Sequence, residues 1–152
     1  MADTKLTALT ATTSPLSTDI IYIVTDPSGV PASKKVTLGN AIKASGNQAF
    51  QTLTDAATIA TDCSTGLNFK VTLGGNRTLG NPTNAVDGQR YVWMLIQDAT
   101  GSRTLTLDTK FSLGSDISSI LLTTTANKRD FITTLYSSSD DKFYIIGFIR
   151  GF

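Results

Sequence analysis

The sequence contains no histidine and no glutamate among its 152 residues. Histidine is the usual acid–base group near neutral pH and a common zinc ligand, so its absence excludes histidine-dependent catalytic triads and histidine-ligated zinc. All twelve acidic residues are aspartate, which favours turns and helix caps, whereas glutamate favours helix interiors. Threonine and serine are abundant, and threonine is typical of strands. The composition therefore favours a β-rich protein.

Charge, cysteine and long apolar runs are also scarce. Charged residues make up 16% of the chain and its net charge is +1, which gives no reason to expect electrostatic binding of nucleic acid or a membrane. Cys63 is the single cysteine, so it can form no intrachain disulfide, and we expect a buried, inert thiol. The amino-terminal residues lack an apolar signal core and no run reaches membrane-spanning length, so we expect a protein that does not pass a secretion channel.

The most informative segment begins with a continuous apolar run at residues 91–96, which has the length of a strand. A polar turn at residues 98–102 follows, and residues 103–107 then alternate polar with apolar, so the pattern predicts a hairpin with unequal arms. The first arm carries apolar side chains on both faces. One face can meet the core of its own domain, and the other needs a second layer from the same chain or from a neighbouring subunit.

The remainder of residues 47–152 predicts an all-β domain, a β-sandwich or a jelly-roll-like barrel, because short strand-like segments alternate with Gly- and Asp-containing turns. Gly74, Gly75 and Asn76 predict a hairpin turn rather than a phosphate-binding loop, since neither the required Lys-Ser/Thr pair nor a helix follows. The predicted strands are residues 50–54, 57–61, 67–73, 77–79, 119–123, 131–136 and 143–149, with residues 111–117 as a loop.

Residues 1–46 predict a small dependent segment. Residues 1–17 are rich in Thr, Ala and Ser and cannot build a core, so we expect an extended arm that is ordered only against a partner. Strands at 19–25 and 33–36, joined by a Pro-Gly turn, and a short helix at 38–44 make a β-β-α unit. Such a unit of roughly 25 to 30 residues is too small to fold unaided and should dock on the main domain, another subunit or a larger assembly.

Few groups suggest chemistry. Asp140 and Asp141 could bind calcium, but no further acidic pattern surrounds them, so a solvated turn is favoured. A glycosidase-like carboxylate pair could assemble only in three dimensions and stays open. Aromatic residues could form a sugar-binding platform, yet most lie in apolar strands, where core or subunit-interface packing is the default. We predict no catalytic residue, no bound metal and no cofactor.

Two patterns resemble tailed-bacteriophage virion proteins. Residues 12–24, Thr-Thr-Ser-Pro-Leu-Ser-Thr-Asp-Ile-Ile-Tyr-Ile-Val, and the following residues 26–38 resemble the amino-terminal segment of many phage fibres and head-decorating proteins. The Gly-rich segment 74–79, the Gly-Gln-Arg-apolar strand at 88–96 and Gln-Asp-x-Thr-Gly-x-Arg-Thr-Leu at 97–105 are similar to phage structural domains, as is the closing strand with Gly-Phe. Together they cover most of the chain.

The resemblance implies a non-enzymatic, trimeric β-protein of the virion, assembled in the host cytoplasm, whose amino-terminal segment attaches to the particle. The chain is short for a receptor-reaching fibre, so we predict a capsid decoration or head-fibre protein that binds and stabilises the shell. The alternative is a tail-fibre or adhesion module whose loops, such as residues 81–88 or 98–102, bind host surface glycans. A small glycan hydrolase is a third hypothesis. The expected partners are copies of itself and the major capsid protein or other virion proteins, without nucleic acid or membrane.

Residues for these contacts follow from the apolar pattern. The chain is apolar to its last residue, which indicates that this end is tied into a sheet or an interface. The predicted subunit-interface residues are Tyr91, Trp93, Leu95, Phe148 and Phe152. The predicted particle-attachment residues are Leu16, Ile20, Tyr22, Val24, Leu38 and Ile42.

Overall fold

A computed structural model describes residues 20–25, 32–37 and 49–152. The chain divides into two compact units, Met1–Gly46 and Asn47–Phe152. The predicted arm at 1–17, the predicted helix at 38–44 and the attachment residues Leu16, Leu38 and Ile42 lie outside the described residues. Within the described ranges, no helix has the length and apolarity needed to cross a membrane.

The described part of the first unit is a pair of antiparallel strands, β1 (Ile20–Thr25) and β2 (Ala32–Thr37). In their register Ile20 lies opposite Thr37 and Thr25 lies opposite Ala32. These are the two strands that the sequence predicts on either side of the Pro-Gly turn. Ile20, Tyr22 and Val24 all lie in β1, and their role in attachment stays a prediction.

The second unit consists of short strands, and its one described helix is a 3-10 turn at Cys63–Thr65. The prediction of an all-β domain is confirmed. The strands are β3 (Phe50–Thr52), β4 (Thr58–Ile59), β5 (Asn68–Leu73), β6 (Arg77–Leu79), β7 (Arg90–Gln97), β8 (Leu105–Leu107), β9 (Phe111–Ser112), β10 (Arg129–Ser137) and β11 (Lys142–Ile149).

Successive strands of this unit alternate between two sheets. Strands β3, β5 and β7 are parallel neighbours in a six-stranded sheet, and β4, β6 and β8 are parallel neighbours in a three-stranded sheet. Each pair of strands therefore forms one coil, and three coils stack as a short parallel solenoid. Beyond the third coil, β10 pairs antiparallel with β7, β11 pairs antiparallel with β10, and β9 closes the edge of the large sheet.

The predicted hairpins are wrong. Strands β7 and β8 lie in different sheets, where β7 pairs with β5 and β10, and β8 pairs with β6. The turn at residues 74–76 likewise carries the chain from one sheet to the other. Polar turns between alternating segments occur both in hairpins and at solenoid corners, so the pattern does not distinguish them. The connectivity is that of a solenoid rather than a jelly roll.

Two further differences concern the segment after β8. The predicted strand at 119–123 is not formed, although Ile120 and Leu122 are buried there. The predicted loop at 111–117 begins with β9, a short strand parallel to β11. The apolar residues of 119–123 thus cover the core from a loop, and burial without strand pairing explains the incorrect assignment.

Polar side chains connect the corners of neighbouring coils. The Asp55 carboxylate, in the first coil, accepts hydrogen bonds of 2.7 Å from both Nε and Nη2 of Arg77, and one of 3.2 Å from the Gly74 N–H. Asn76 Oδ1, in the second coil, accepts the Thr104 N–H of the third coil at 3.1 Å. These bonds satisfy N–H groups at the corners that are not hydrogen-bonded within either sheet. They also hold each coil in register with the next.

The core between the two sheets is centred on Trp93. Its indole is fully buried, and Nε1 donates a 3.1 Å hydrogen bond to Oγ1 of Thr61. The rings of Phe69, Phe111 and Phe143 lie with their centroids 5.6, 5.6 and 6.2 Å from that of Trp93, in the tilted and edge-on arrangements that aromatic rings prefer. Because the one polar atom of the indole is satisfied, the whole ring contributes to apolar burial.

This packing corrects the predicted subunit interface. Tyr91 and Trp93 are 0% exposed and Leu95 is 1% exposed within a single copy, so these three side chains offer no surface to a neighbouring subunit. Phe148 is partly buried and packs against the same core, whereas Phe152 is 60% exposed. The strand has two apolar faces, as predicted, but the aromatic face is the inner one.

A buried hydroxyl provides a test of the core. Thr134 of β10 is 0% exposed, and within the described residues its Oγ1 has no hydrogen-bond partner. Because an unsatisfied buried polar group is costly, we expect Thr134→Val to raise the free energy of unfolding by about 1 kcal/mol. Thr61→Val is the matched control and should lower it by roughly 1–3 kcal/mol, because the Trp93 N–H loses its acceptor. Urea unfolding followed by Trp93 fluorescence measures both, and a loss of stability in Thr134→Val contradicts the prediction.

The corner ion pair predicts a dependence of stability on pH. The hydrogen bonds from Arg77 lower the pKa of Asp55 below its ordinary value of 3.8. The pair therefore stabilises the fold fully above that value, and the contribution is lost as the pH falls through the lower folded-state pKa. We expect acidification from about pH 6 to about pH 3 to destabilise the wild type more than Asp55→Asn. Asp116→Asn, whose carboxylate forms no ion pair within the described residues, should behave like the wild type.

Candidate functional site

An open groove of about 490 Å³ runs along the first coil of the second unit. The lining comes from β3 and the segment after it, from β4 and the segment after it, and from the loop that follows β6. The groove is lined by Gln51, Thr52, Leu53, Thr54, Ala56, Thr58, Ala60, Thr61, Asp62, Thr65, Asn81 and Thr83.

The residues that line the groove carry hydroxyl and amide groups and little charge, and most of the surface that they expose is apolar. Six of the twelve lining residues are threonines, two carry amides, and Asp62 is the one charged residue. A hydroxyl both donates and accepts hydrogen bonds, and an amide offers one group of each kind. The lining residues include no lysine or arginine that would hold a phosphate or carboxylate. The groove therefore suits an uncharged ligand rich in hydroxyl groups.

The walls of the groove are held in place by side-chain hydrogen bonds. The Asp62 carboxylate accepts bonds from the Asn84 amide at 2.9 Å and from the Ser64 N–H at 3.0 Å, and these lower the pKa of Asp62. Asp62 is therefore an ionised acceptor at neutral pH. Asn81 accepts the Lys110 N–H at 2.8 Å, which ties the loop to the segment before β9. A ligand meets a surface that is already ordered.

The two predicted glycan-binding loops have different surroundings. Residues 81–88 contribute Asn81 and Thr83 to the groove. Residues 98–102 form a corner of the third coil instead, where Asp98 is bonded to Arg103 at 2.7 Å. Gly101 has φ +75° in this corner, and a Cβ on it would lie 2.5 Å from a backbone oxygen of a neighbouring loop. This second loop is packed against its own domain.

The two aspartates in the turn after β10 accept hydrogen bonds from side chains of the protein itself. Asp141 forms a 2.8 Å ion pair with Nζ of Lys110 and accepts the Tyr136 hydroxyl at 3.0 Å, and the Lys110 bond is the main reason that its pKa is lowered. Asp140 accepts the Tyr144 hydroxyl at 2.8 Å. Throughout the part of the chain that the structure describes, no three Asp or Cys side chains are grouped closely enough to hold a metal ion.

Cys63 is buried beside the groove. Burial raises the pKa of its thiol to about 12, so the group stays protonated at neutral pH and is a poor nucleophile. Its position, in the 3-10 turn after the first coil, gives it a packing role. The inert thiol that the sequence predicts agrees with this environment.

The groove residues of the first coil were missed by sequence reasoning. Thr52, Thr54 and Thr58 lie along the first coil, and the groove forms only when the loop after β6 folds back beside them. The available signal is the run of threonines at alternate positions, which places hydroxyls on one side of the chain. Without the coil topology that signal does not distinguish a ligand-binding wall from an ordinary exposed strand.

A comparison with protein families identifies the class of this protein. Residues 63–140, just over half of the chain, match the family described as "Putative phage tail fibre C-terminal domain". The match defines a structural protein of the bacteriophage virion, of tail-fibre type, and the predicted resemblance to phage virion proteins is confirmed. The chain belongs to this phage tail fibre C-terminal domain family. Neither a curated protein nor a solved structure matches the chain.

Proposed function

We propose that this protein is a non-enzymatic component of the tail fibre that binds an uncharged saccharide of the host surface during adsorption. The groove along the first coil is the observation that carries the proposal. The exposed hydroxyls of Thr52, Thr54 and Thr58 can donate to and accept from neighbouring sugar hydroxyls, and the ionised Asp62 supplies a strong acceptor. Because the walls are already ordered, little conformational entropy is lost when the ligand binds.

An open groove without an aromatic platform binds a single saccharide weakly, and adsorption then depends on repetition. The predicted homotrimer would place three grooves on one fibre. Linked sites bind a repeated ligand with an avidity that exceeds the single-site affinity by about 10²–10⁴. The trimer stays a prediction. It would supply the avidity that a single weak groove lacks.

Membership of the tail-fibre family favours the adhesion alternative over capsid decoration. Both are roles in the virion, and both leave the amino-terminal unit as the proposed attachment to the particle. The proposed attachment surface includes β1, with Ile20, Tyr22 and Val24. Assembly in the host cytoplasm is part of the same proposal.

Particles that lack this chain distinguish the two virion roles. If the protein binds the host, such particles should lose adsorption to cells while their capsids resist heat and osmotic shock as before. Adsorption is measured as the fraction of particles removed from suspension by host cells. Normal adsorption together with fragile capsids supports capsid decoration instead and contradicts the proposed function.

Filling the groove tests the saccharide site directly. Thr58 is exposed on β4 and lines the groove, so Thr58→Trp should obstruct it and weaken saccharide binding about tenfold or more. Thr104→Trp is the control, since Thr104 is exposed in the third coil and is not among the groove residues. A glycan array with the full chain identifies the ligand, and calorimetry compares the two variants.

Equal affinities for Thr58→Trp and the wild type place the ligand elsewhere and contradict the proposed groove. The same array, incubated and then assayed for released sugar, tests the non-enzymatic part of the proposal. Release of product supports the hydrolase hypothesis instead.

A further inference from the structure

The outward face of the six-stranded sheet carries many apolar side chains. Along β7, β10 and β11 the outward positions alternate with core positions, and the Phe152 ring packs edge-on against the outward Phe131 ring with the centroids 5.5 Å apart. Ile146 is 51% exposed and Ile149 is 59% exposed. The apolar side chains on this face are Val92, Met94, Ile96, Phe131, Leu135, Tyr144, Ile146 and Ile149. Water does not favour a surface of this kind, which is typical of a contact with a partner.

All the charged residues on this face are cationic. The outward positions of the strands of this sheet carry Lys70, Arg90, Arg129 and Lys142, and they carry no aspartate. None of these four cations forms an ion pair within the described residues, whose ion pairs involve other lysine and arginine side chains. The strands of this face therefore carry apolar side chains together with cations that form no ion pair within the described residues, while Asp140 borders the face through its bond to the Tyr144 hydroxyl.

The register shows that the two kinds of side chain are interleaved. Lys70 lies opposite Met94, Met94 lies opposite Phe131, and Phe131 lies opposite Ile149, in one row across four strands. A lysine inside an apolar row loses hydration when that row is covered, so a partner must offer it an acceptor. The most direct acceptor is a carboxylate.

The size of the face suits a protein. Six strands of two to nine residues, with about 3.3 Å per residue and about 4.8 Å between strands, cover roughly 600 Å² in total. A standard protein interface buries about 800 Å² on each partner, whereas small ligands prefer concave pockets. A second copy bound face to face would bring the four cations of one sheet against those of the other, which opposes that arrangement.

We propose that this face docks another protein of the virion, whose contact surface is apolar at its centre and carries carboxylates opposite Lys70, Arg90 and Arg129. The proposal does not depend on saccharide binding in the groove. The face lies on the side of β7 opposite the buried Trp93 side chain.

Purified particles that lack this chain serve as the probe, and the full-length chain is added back. Binding is measured by cosedimentation at roughly 0.05 and roughly 0.5 M salt, across which charge attraction is screened. Wild-type binding should weaken as salt increases. Lys70→Glu and Ile146→Asp should each weaken it about tenfold or more at low salt, as expected for residues near the centre of an interface.

Two matched controls show that the effect belongs to this face. Val86→Asp changes an apolar residue that is 63% exposed in the turn before β7, and Lys128→Glu changes a cation in the turn before β10. Both should bind within about twofold of the wild type, because neither removes a contact on the face. Thermal unfolding of all four variants shows whether each one is folded.

Three outcomes overturn the proposal. The first is an absence of binding to the particles, or equal binding by the folded face variants and the wild type. The second is self-association of the free chain that Ile146→Asp abolishes while particle binding is unchanged, which assigns the face to a second copy. The third is binding to vesicles of anionic phospholipid that exceeds binding to particles, which assigns it to a lipid surface. A saccharide array on the same variants tests the proposed function separately.

Discussion

The lateral pairing of one coil with the next is the constraint on which the rest of the second unit depends. On one side β3, β5 and β7 pair in parallel, and on the other side β4, β6 and β8 do so. This pairing requires that every corner returns the chain to a position where its next strand lies beside the matching strand of the previous coil. Asp55 and Asn76 contribute to this by accepting N–H groups from the following coil. A slip of one residue would exchange the inner and outer faces of a strand, and would bring the Trp93 side chain out of the core.

The strands themselves could be predicted from the sequence more completely than their partners. Residues 67–73, 131–136 and 143–149 show the alternation or apolarity of strands, and the structure has β5, β10 and β11 there. Alternation states which side chains share a face, but it carries no information about which strand lies alongside. The two arms of a hairpin and two successive strands of a solenoid show the same local alternation of polar and apolar residues. Only the pairing of residues far apart in the sequence distinguishes the two arrangements.

The functional surfaces were predictable only in part. The sequence shows that β7 has two apolar faces, yet it does not show which face is inside, because Val92 and Met94 are as apolar as Leu95. The broad rings of Tyr91 and Trp93 fill the space between the sheets, and the more slender side chains remain outside. The groove could not be predicted, since it joins residues 51–65 to Asn81 and Thr83 through the stacking of coils. The phage resemblance depended on local motifs and was therefore independent of these topological errors.

Most of the groove precedes the residues shared with the family. The matched segment begins at Cys63, whereas most of the residues that line the groove lie between Gln51 and Asp62. The first coil supplies the edge strands β3 and β4 of the two sheets, so within the second unit it pairs with one neighbouring coil. This terminal coil is also part of the core, since Ile59 is buried there and Thr61 accepts the Trp93 N–H. A substitution at Thr61 therefore alters the groove and the core together, so the shape of this surface and the stability of the unit are coupled.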